Sequence, residues 1–336
     1  MQKLVRRLLL VLLFFAALAA MVGGAAAWWL GQPLKLAHTS VELEIEPGTS
    51  PRGIAQAAVD AGVQTDARLL YYWFRLSGQD RQIRAGNYEL TAGVTPRSLL
   101  QKLVRGEESL RAITFLEGWT FRQMRAQLAK DEFLKHDTAG MTDAQIMQAL
   151  GKPEVAAEGM FFPDTYTYAK GSSELAVLRR ALHAMERRLE EAWAQRSSDT
   201  PLKSPYEALV LASIVEKETG RDSDRGQIAG VFSNRLRIGM RLQTDPAVIY
   251  GVGEAFDGNL RRRDLQTDTP WNTYTRAGLP PTPIAMPGKA SLMAAVRPEP
   301  TKAYYFVARG DGSSHFSANL DEHNRAVNRY IRGRGD

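Results

Sequence analysis

The chain has no cysteine among its 336 residues. This absence excludes disulfide bonds, thiol catalysis and cysteine-ligated metal sites. Its five histidines do not have the spacing typical of metal ligands, so we expect neither a metal nor another cofactor; they are His38, His136, His183, His315 and His323. The chain also lacks an internal repeat and a low-complexity linker. With 336 residues it is long enough for two or three modules.

An excess of positive charge is also missing from most of the chain. The formal net charge is +6, but Lys3, Arg6 and Arg7 lie ahead of an apolar run. Without these three, 40 basic residues face 37 acidic ones. This balance does not favour nucleic acid as a partner.

One long apolar run lies near the N-terminus. Leu8 to Leu30 is 23 residues without a charge, which is enough to cross a bilayer. The basic residues before it predict a cytoplasmic tail over residues 1–7, and Trp28 and Trp29 suit the far interface. Ala25 to Ala27 offers the alternative of a cleaved signal peptide. We favour a retained anchor over residues 8–30, because the run is longer than the apolar region of most signals. Under either interpretation the rest of the chain is exported.

The residues after the anchor read as an α+β protein in two parts. In residues 31–107 the alternating segment Val41–Glu46 predicts a half-buried strand. Further elements are expected as helices from Thr49 or Ser50 to Ala61, Ala67 to Ser77 and Thr95 to Val104, and a strand over Gly86–Thr91. The aromatic run Tyr71 to Phe74 could stack on sugar rings, but it covers every face of a helix. We therefore expect most of it in the core.

Residues 108–336 are predicted to be mostly helical. We expect a strand over Ala112–Leu116, helices over Thr120–Ala129 and Leu175–Ala194, a helix capped by Asp224 and Gln227 that runs to Leu236, and a hairpin of Tyr304–Ala308 with His315–Phe316. Glu158 to Tyr166 is a compact aromatic segment. Leu279 to Pro287 contains several prolines, which forbid a helix or a central strand, so we expect a rigid wall that could line a cleft.

Residues 204–220 form the helix around which we expect this second part to be organised. Ser204 and Glu207 have the spacing of a capping box, and Pro205 suits the first helical position. Gly220 stands where a left-handed residue would end the helix. The residues between are apolar on nearly every side, which predicts a buried helix.

Two carboxylates lie at the end of this helix, and they cannot share a pocket. Glu216 and Glu218 are separated by about 200° around a helix. Leu211, Ile214 and Val215 place an apolar stripe beside Glu218. Lost hydration would raise the pKa of its carboxyl, as a general acid near neutral pH requires. The alternative is a glutamate at a frayed helix end.

Several of these segments, in this order, resemble the YceG-like (MltG) family of membrane-anchored endolytic murein transglycosylases. The segments are Leu211–Thr219, Glu158–Tyr166, Leu242–Pro246, Asn272–Thr275, Gly278–Pro281 and the tail with Tyr304, His315 and Asn324. Pro47–Thr49 and Gly86–Tyr88 also resemble the family's LysM-like subdomain. The expected architecture is thus a transmembrane helix, a LysM-like α/β subdomain over residues 31–107 and a mixed α+β catalytic domain over residues 108–336.

The resemblance implies cleavage of the MurNAc–GlcNAc β-1,4 bond within peptidoglycan strands, leaving 1,6-anhydro-MurNAc ends. Glu218–Thr219 is similar to the Glu–Ser/Thr signature of lysozyme-like transglycosylases, which makes Glu218 the expected general acid and base. Glu216 and Thr219 are expected to support it. Substrate binding is expected from Gln243, Thr244, Asp245, Asn272 and Tyr274, although these residue types are also common in turns.

The implied setting is the inner membrane of a bacterium, with a periplasmic catalytic domain that limits the length of nascent strands, possible peptidoglycan synthases as partners, and no nucleic acid. Two alternatives remain. A lysozyme-type hydrolase would use Asp245 or another acid beside Glu218. A non-catalytic envelope protein would bind glycan through the LysM-like part and act as a scaffold.

Overall fold

The computed structural model describes residues 2–218 and 221–333, with side chains from residue 9 onward. The chain divides into two compact units, residues 1–111 and residues 112–336. The sequence placed the corresponding boundary between residues 107 and 108. Thr219 and Gly220, the expected neighbour of Glu218 and the expected end of its helix, lie outside the described residues.

The first unit begins with the apolar helix α1 (Gln2–Gly31). Leu9–Gly31 has a mean hydropathy of 2.5 and none of it is buried. The apolar run is therefore helical, exposed and long enough to span a bilayer, which is consistent with a single-pass membrane anchor.

The rest of the first unit is a small α+β fold. Its elements are β1 (Lys35–Leu36), β2 (Ser40–Ile45), α2 (Pro51–Asp60), β3 (Val63–Gln64), α3 (Ala67–Leu76), β4 (Gly86–Thr91) and α4 (Pro96–Arg105). Strand β2 pairs antiparallel with β4, and β1 with β3. Val41, Leu43 and Ile45 are buried while the residues between them are exposed. The predicted alternation is therefore confirmed.

The aromatic run on α3 is mostly core, as expected. Phe74 is fully buried, and Tyr71 and Trp73 are partly buried and pack against the core of this unit. Tyr72 differs, because 60% of it is exposed.

The second unit is mostly helical. Its elements are β5 (Leu110–Thr114), α5 (Phe121–Ala129), α6 (Asp143–Ala149), β6 (Thr165–Ala169), α7 (Glu174–Ala194), α8 (Pro205–Glu218), α9 (Asp222–Arg237), α10 (Asp245–Val252), α11 (Arg262–Gln266), α12 (Lys289–Val296), β7 (Tyr305–Ala308), β8 (Ser314–Ser317) and α13 (Leu320–Val327). Strand β5 pairs with β6, and β7 forms an antiparallel hairpin with β8.

Helix α8 lies at the centre of this unit. It packs against α7, α9, α10 and α12, and every residue from Ala208 to Val215 is buried. Ser204 Oγ accepts the N–H of Glu207 at 3.2 Å, as a cap should. The other half of the expected capping box differs, because the Glu207 carboxylate accepts the N–H of Lys203 instead, at 2.7 Å.

The proline-containing segment over residues 279–287 has neither helix nor strand, as expected. Its half-buried Thr282 lines a cavity beside Glu158, but its later residues belong to the core. Ile284, Ala285 and Met286 are buried. The N–H of Ile284 donates to Ser213 Oγ of α8 at 3.0 Å. Rigid prolines thus hold an extended core segment against α8, whose small Ser213 lets the two backbones come close.

Two predicted boundaries are wrong. Strand β5 begins at Leu110 rather than Ala112, and α9 begins at Asp222, so Asp224 lies inside the helix rather than at its cap. The Asp224 carboxylate instead accepts the N–H of Ser314 at 2.6 Å. Asp245 and Pro246, although of residue types common in turns, open α10, where proline suits the first turn.

Candidate active site

Glu218, at the C-terminal end of α8, faces an open cleft of about 470 Å³. We call this the Glu218 cleft. Its lining is Glu218, Arg235, Leu242, Gln243, Asp245, Tyr274, Tyr305, Phe306, Leu320, His323 and Asn324. The buried helix α8 therefore ends with Glu218 at a concave, partly polar surface. Helices α9, α10 and α13 and the β7–β8 hairpin contribute to this surface.

The Glu218 carboxyl has the protonation behaviour that the apolar stripe predicted. Burial raises its pKa to about 7, and the charge of Asp245 acts in the same direction. A hydrogen bond from Thr244 Oγ1 and the charge of Arg235 oppose this rise. Near neutral pH the group can therefore both donate and accept a proton.

Glu216 points away from the Glu218 cleft, as the helix geometry predicted. Its carboxylate accepts the N–H of Gly288 at 2.9 Å, at the start of α12. Glu216 is thus tied to the segment that packs along α8, and it does not line the cleft.

The loop before α10 presents two of the expected binding residues. Thr244 is only 2% exposed, so it positions Glu218 rather than offering a free surface. Its N–H donates to Thr273 Oγ1 at 3.0 Å, and the N–H of Gln243 donates to the Thr273 carbonyl at 3.2 Å. Gln243 has a φ of 47°, the left-handed region that non-glycine residues rarely adopt. Its side chain is exposed and lines the cleft.

Asp245 and Tyr274 reach the cleft as a pair. Tyr274 Oη donates a hydrogen bond of 2.5 Å to the Asp245 carboxylate. This bond joins the first turn of α10 to the loop after α11. The Asp245 carboxylate is therefore the second carboxylate of the cleft, beside Glu218.

Asn272 is not available to a ligand, which corrects its expected role in substrate binding. It is fully buried. Its side-chain N–H groups donate to the backbone carbonyls of Asp264, Leu265 and Thr267. Its side-chain oxygen Oδ1 accepts the N–H of Tyr274 at 2.9 Å. Asn272 therefore shapes the loop that carries Tyr274.

Arg235 is a cleft residue that the sequence reasoning missed. Its guanidinium donates to the carbonyls of Leu242 and Tyr304, both at 2.7 Å, and lies over the ring of Tyr305. Burial lowers its pKa. Nothing in the charged C-terminal turn of α9 distinguishes Arg235 from Arg237, so no sequence signal could have found it.

The hairpin and α13 close another side of the cleft. His323 stacks on Tyr305 with ring centroids 5.2 Å apart. Among the described residues its Nδ1 has no hydrogen-bond partner, and burial lowers its pKa. The imidazole therefore forms part of the cleft wall, with its Nδ1 buried.

A second glutamate with a raised pKa lies elsewhere in this unit. Glu158 is 8% exposed and lines a cavity of about 650 Å³. Burial raises its pKa to about 7, but it accepts hydrogen bonds from the N–H of Phe121 and from Tyr250. Glu158 is more enclosed than Glu218, and its hydrogen-bond partners occupy its carboxyl. We therefore treat the Glu218 cleft as the candidate site although it is smaller.

The family of the chain follows from its similarity to known proteins. The YceG-like family matches residues 43–329. The chain belongs to this family. The described residues contain no cluster of acidic or histidine side chains that could hold a metal.

Two curated relatives of this YceG-like chain carry the same name, endolytic murein transglycosylase. An endolytic murein transglycosylase of Bacillus subtilis is 31% identical over 319 residues, covering 90% of this chain and 88% of the relative. One of Streptococcus pneumoniae is 26% identical, covering 87% of this chain and 58% of the relative. The crystal structure of a yceG-like protein from Listeria monocytogenes matches with a TM-score of 0.55 and 29% identity, over 85% of this chain and 98% of that one.

Proposed function

We propose that this protein is an endolytic peptidoglycan lytic transglycosylase, which cleaves the MurNAc–GlcNAc β-1,4 bond within glycan strands and leaves 1,6-anhydro-MurNAc ends. The observation that carries the proposal is Glu218: a carboxyl with a pKa of about 7 in an open cleft. The names of the relatives give the substrate class.

Glu218 starts the reaction as the general acid. Its protonated carboxyl donates to the glycosidic oxygen, and the C1–O bond of MurNAc breaks as positive charge develops on the sugar. Thr244, which donates to the same carboxyl, and Arg235 stabilise the carboxylate that remains. Because Thr244 is buried and tied to Thr273, it keeps Glu218 oriented through this step.

Glu218 completes the reaction as the general base. Its carboxylate takes the proton of the C6 hydroxyl while O6 bonds to C1 of the same MurNAc. The carboxyl returns to its starting state, and no water is consumed. Intramolecular attack has a large advantage in effective concentration over attack by water, so a second catalytic carboxylate is not required.

The second candidate is a hydrolase, and Asp245 is the observation that favours it. Asp245 lines the cleft and its charge acts on Glu218, so it could activate a water. Its hydrogen bond to Tyr274 suits a fixed acceptor for a sugar hydroxyl equally well. We therefore propose Asp245, Tyr274 and Gln243 as substrate-binding residues, with Thr244 and Glu216 in supporting positions.

The N-terminal part gives the proposed setting. We propose residues 1–7 as a cytoplasmic tail, residues 8–30 as an inner-membrane anchor, residues 31–107 as a LysM-like subdomain and residues 108–336 as the periplasmic catalytic domain. An exposed helix of 23 apolar residues supports the anchor. Anchoring keeps the cleft near newly made strands, where it would limit their length and meet peptidoglycan synthases.

The products of cleavage test the proposed function. The full chain in detergent, incubated with uncrosslinked glycan strands, should produce internal cuts with anhydro ends, as read by mass spectrometry. Reducing ends, heavier by one water, would instead establish the hydrolase. Binding without cleavage by a folded wild type would favour the non-catalytic scaffold.

Thr244→Val should shift the pH dependence of catalysis. The Thr244 hydroxyl stabilises the ionised form of Glu218, so its loss should raise the pKa of Glu218 further. In the wild type, kcat/KM should fall as pH rises through about 7, where the acid loses its proton. In the variant this fall should move to higher pH. Thr275→Val, which removes a hydroxyl that bonds Asp268, is the matched control and should leave the profile in place.

A further inference from the structure

The cavity beside Glu158 is not used by the proposed reaction. We call it the Glu158 cavity; its lining is Thr120, Arg122, Asp143, Glu158, Ile249, Tyr250, Gly253, Glu254, Phe256 and Trp271. At about 650 Å³ it has room for a sugar-sized ligand. It includes Glu158, the first residue of the aromatic segment that the sequence singled out.

The Glu158 cavity and the Glu218 cleft share a wall. Helix α10 contributes Asp245 to the cleft and Tyr250 to the cavity. Five helical residues advance by roughly 7–8 Å along the axis. The loop that follows α11 repeats this arrangement, with Trp271 in the cavity and Tyr274 in the cleft. Two neighbouring concave sites are therefore separated by one short helix and one loop.

The lining of the cavity has the chemistry of a saccharide site. Tyr250 and Trp271 meet edge to face with ring centroids 5.5 Å apart, and the half-buried Phe256 adds a third ring. Aromatic rings offer flat apolar surfaces, and the nearby hydroxyl and carboxyl groups fix orientation. Sugar rings present C–H faces and hydroxyls that suit such a lining.

The charges at the rim favour a neutral ligand. Arg122 pairs with Glu254 at 2.8 Å, and Arg125 pairs with Asp143 at 2.8 Å. Each rim carboxylate therefore already has a cation. The enclosed Glu158 is held by Phe121 and Tyr250. While Glu158 is protonated, no surplus charge remains in this set to select an amine or an acid.

We propose that the Glu158 cavity is a second saccharide subsite, which holds sugar units of the same glycan strand away from the bond that is cleaved. The inference rests on the proposed function, since the polymer is the ligand that would extend from the Glu218 cleft across the shared wall. It assigns Phe256, Trp271 and Tyr250 to recognition of strand length.

Binding by an inactive protein tests this subsite. The full chain carrying Glu218→Gln, in detergent, is titrated with denuded uncrosslinked glycan strands and with a tetrasaccharide of the same repeat. Adding Phe256→Ala should weaken binding of the long strands about tenfold and leave the tetrasaccharide within twofold, because the short ligand fills only the cleft. Phe256→Tyr should restore binding. Trp193→Ala, which removes a half-buried ring that lines neither site, should change neither affinity.

Three outcomes would overturn the subsite. The first two are unchanged affinity for the denuded long strands in a folded Phe256→Ala protein and an equal loss for both ligands. The third, from a parallel titration with strands that carry stem peptides, is a loss confined to those strands. The last would assign the cavity to peptide. Failure of the proposed function is a separate result. The wild-type protein would then not cleave glycan strands, while the dependence of binding on strand length would persist.

Discussion

Glu218→Gln should lower kcat on glycan strands by about a thousandfold or more. General acid–base catalysis typically contributes 10²–10⁴-fold, and Glu218 serves in both proton transfers of the proposed reaction. Glutamine keeps the size of the side chain and can accept the hydrogen bond from Thr244, but it cannot donate a proton to the leaving oxygen. The measurement is the initial rate of formation of anhydro ends at saturating strand concentration.

Glu216→Gln is the matched control for this loss. Glu216 is two positions away on the same helix and bonds to Gly288, a bond that glutamine can also accept. We expect the rate to stay within about threefold of the wild type, because glutamine keeps the bond to Gly288 through which Glu216 supports the site. Equal losses in both variants would mean that the end of α8 is merely sensitive to substitution, and retention of activity by Glu218→Gln would remove Glu218 from the mechanism.

The divergence of these two glutamates could be predicted because it depends only on local geometry. A helix with a cap at Ser204 and an apolar body fixes which face each residue occupies. The environment of Glu218 follows partly from the same pattern. Its other partners, Thr244 and Arg235, approach from residues far along the chain, and no local pattern specifies such contacts.

Most element positions could be read from the sequence for the same reason. The caps at Ser50, Thr95 and Thr120 precede helices where they were expected. The errors arise where tertiary contacts override local preference. Asn272 is a common turn residue, yet three backbone carbonyls enclose its amide. The proline-containing segment was expected to line a cleft. Thr282 does so, but beyond it the hydrogen bond to Ser213 makes the segment part of the core.

Glu158 gives the other large expected effect, on stability rather than rate. Its pKa is raised from 4.5 to about 7 by burial, so the folded state holds a proton that the unfolded state has already lost between these values. Stability must therefore fall as pH rises through this window. Each pKa unit corresponds to about 1.4 kcal/mol. As pH rises from 4.5 to about 7, the ionisation of Glu158 should lower the free energy of unfolding by about 3 kcal/mol. The decrease should level off above pH 7.

Glu158→Gln should remove this dependence, because glutamine stays neutral and can still accept the N–H of Phe121. The unfolding free energy of the variant minus that of the wild type should therefore increase by about 3 kcal/mol between pH 4 and pH 8. This difference is measured by urea unfolding of the full chain in detergent, with hydrogen exchange in α5 and α7 as the readout. Glu254→Gln changes a carboxylate that is 83% exposed, so it should alter stability by less than about 0.5 kcal/mol at every pH. A difference for Glu158→Gln that stays constant with pH would mean that Glu158 has the same pKa in the folded and unfolded states, and the raised pKa assigned to this group would be wrong.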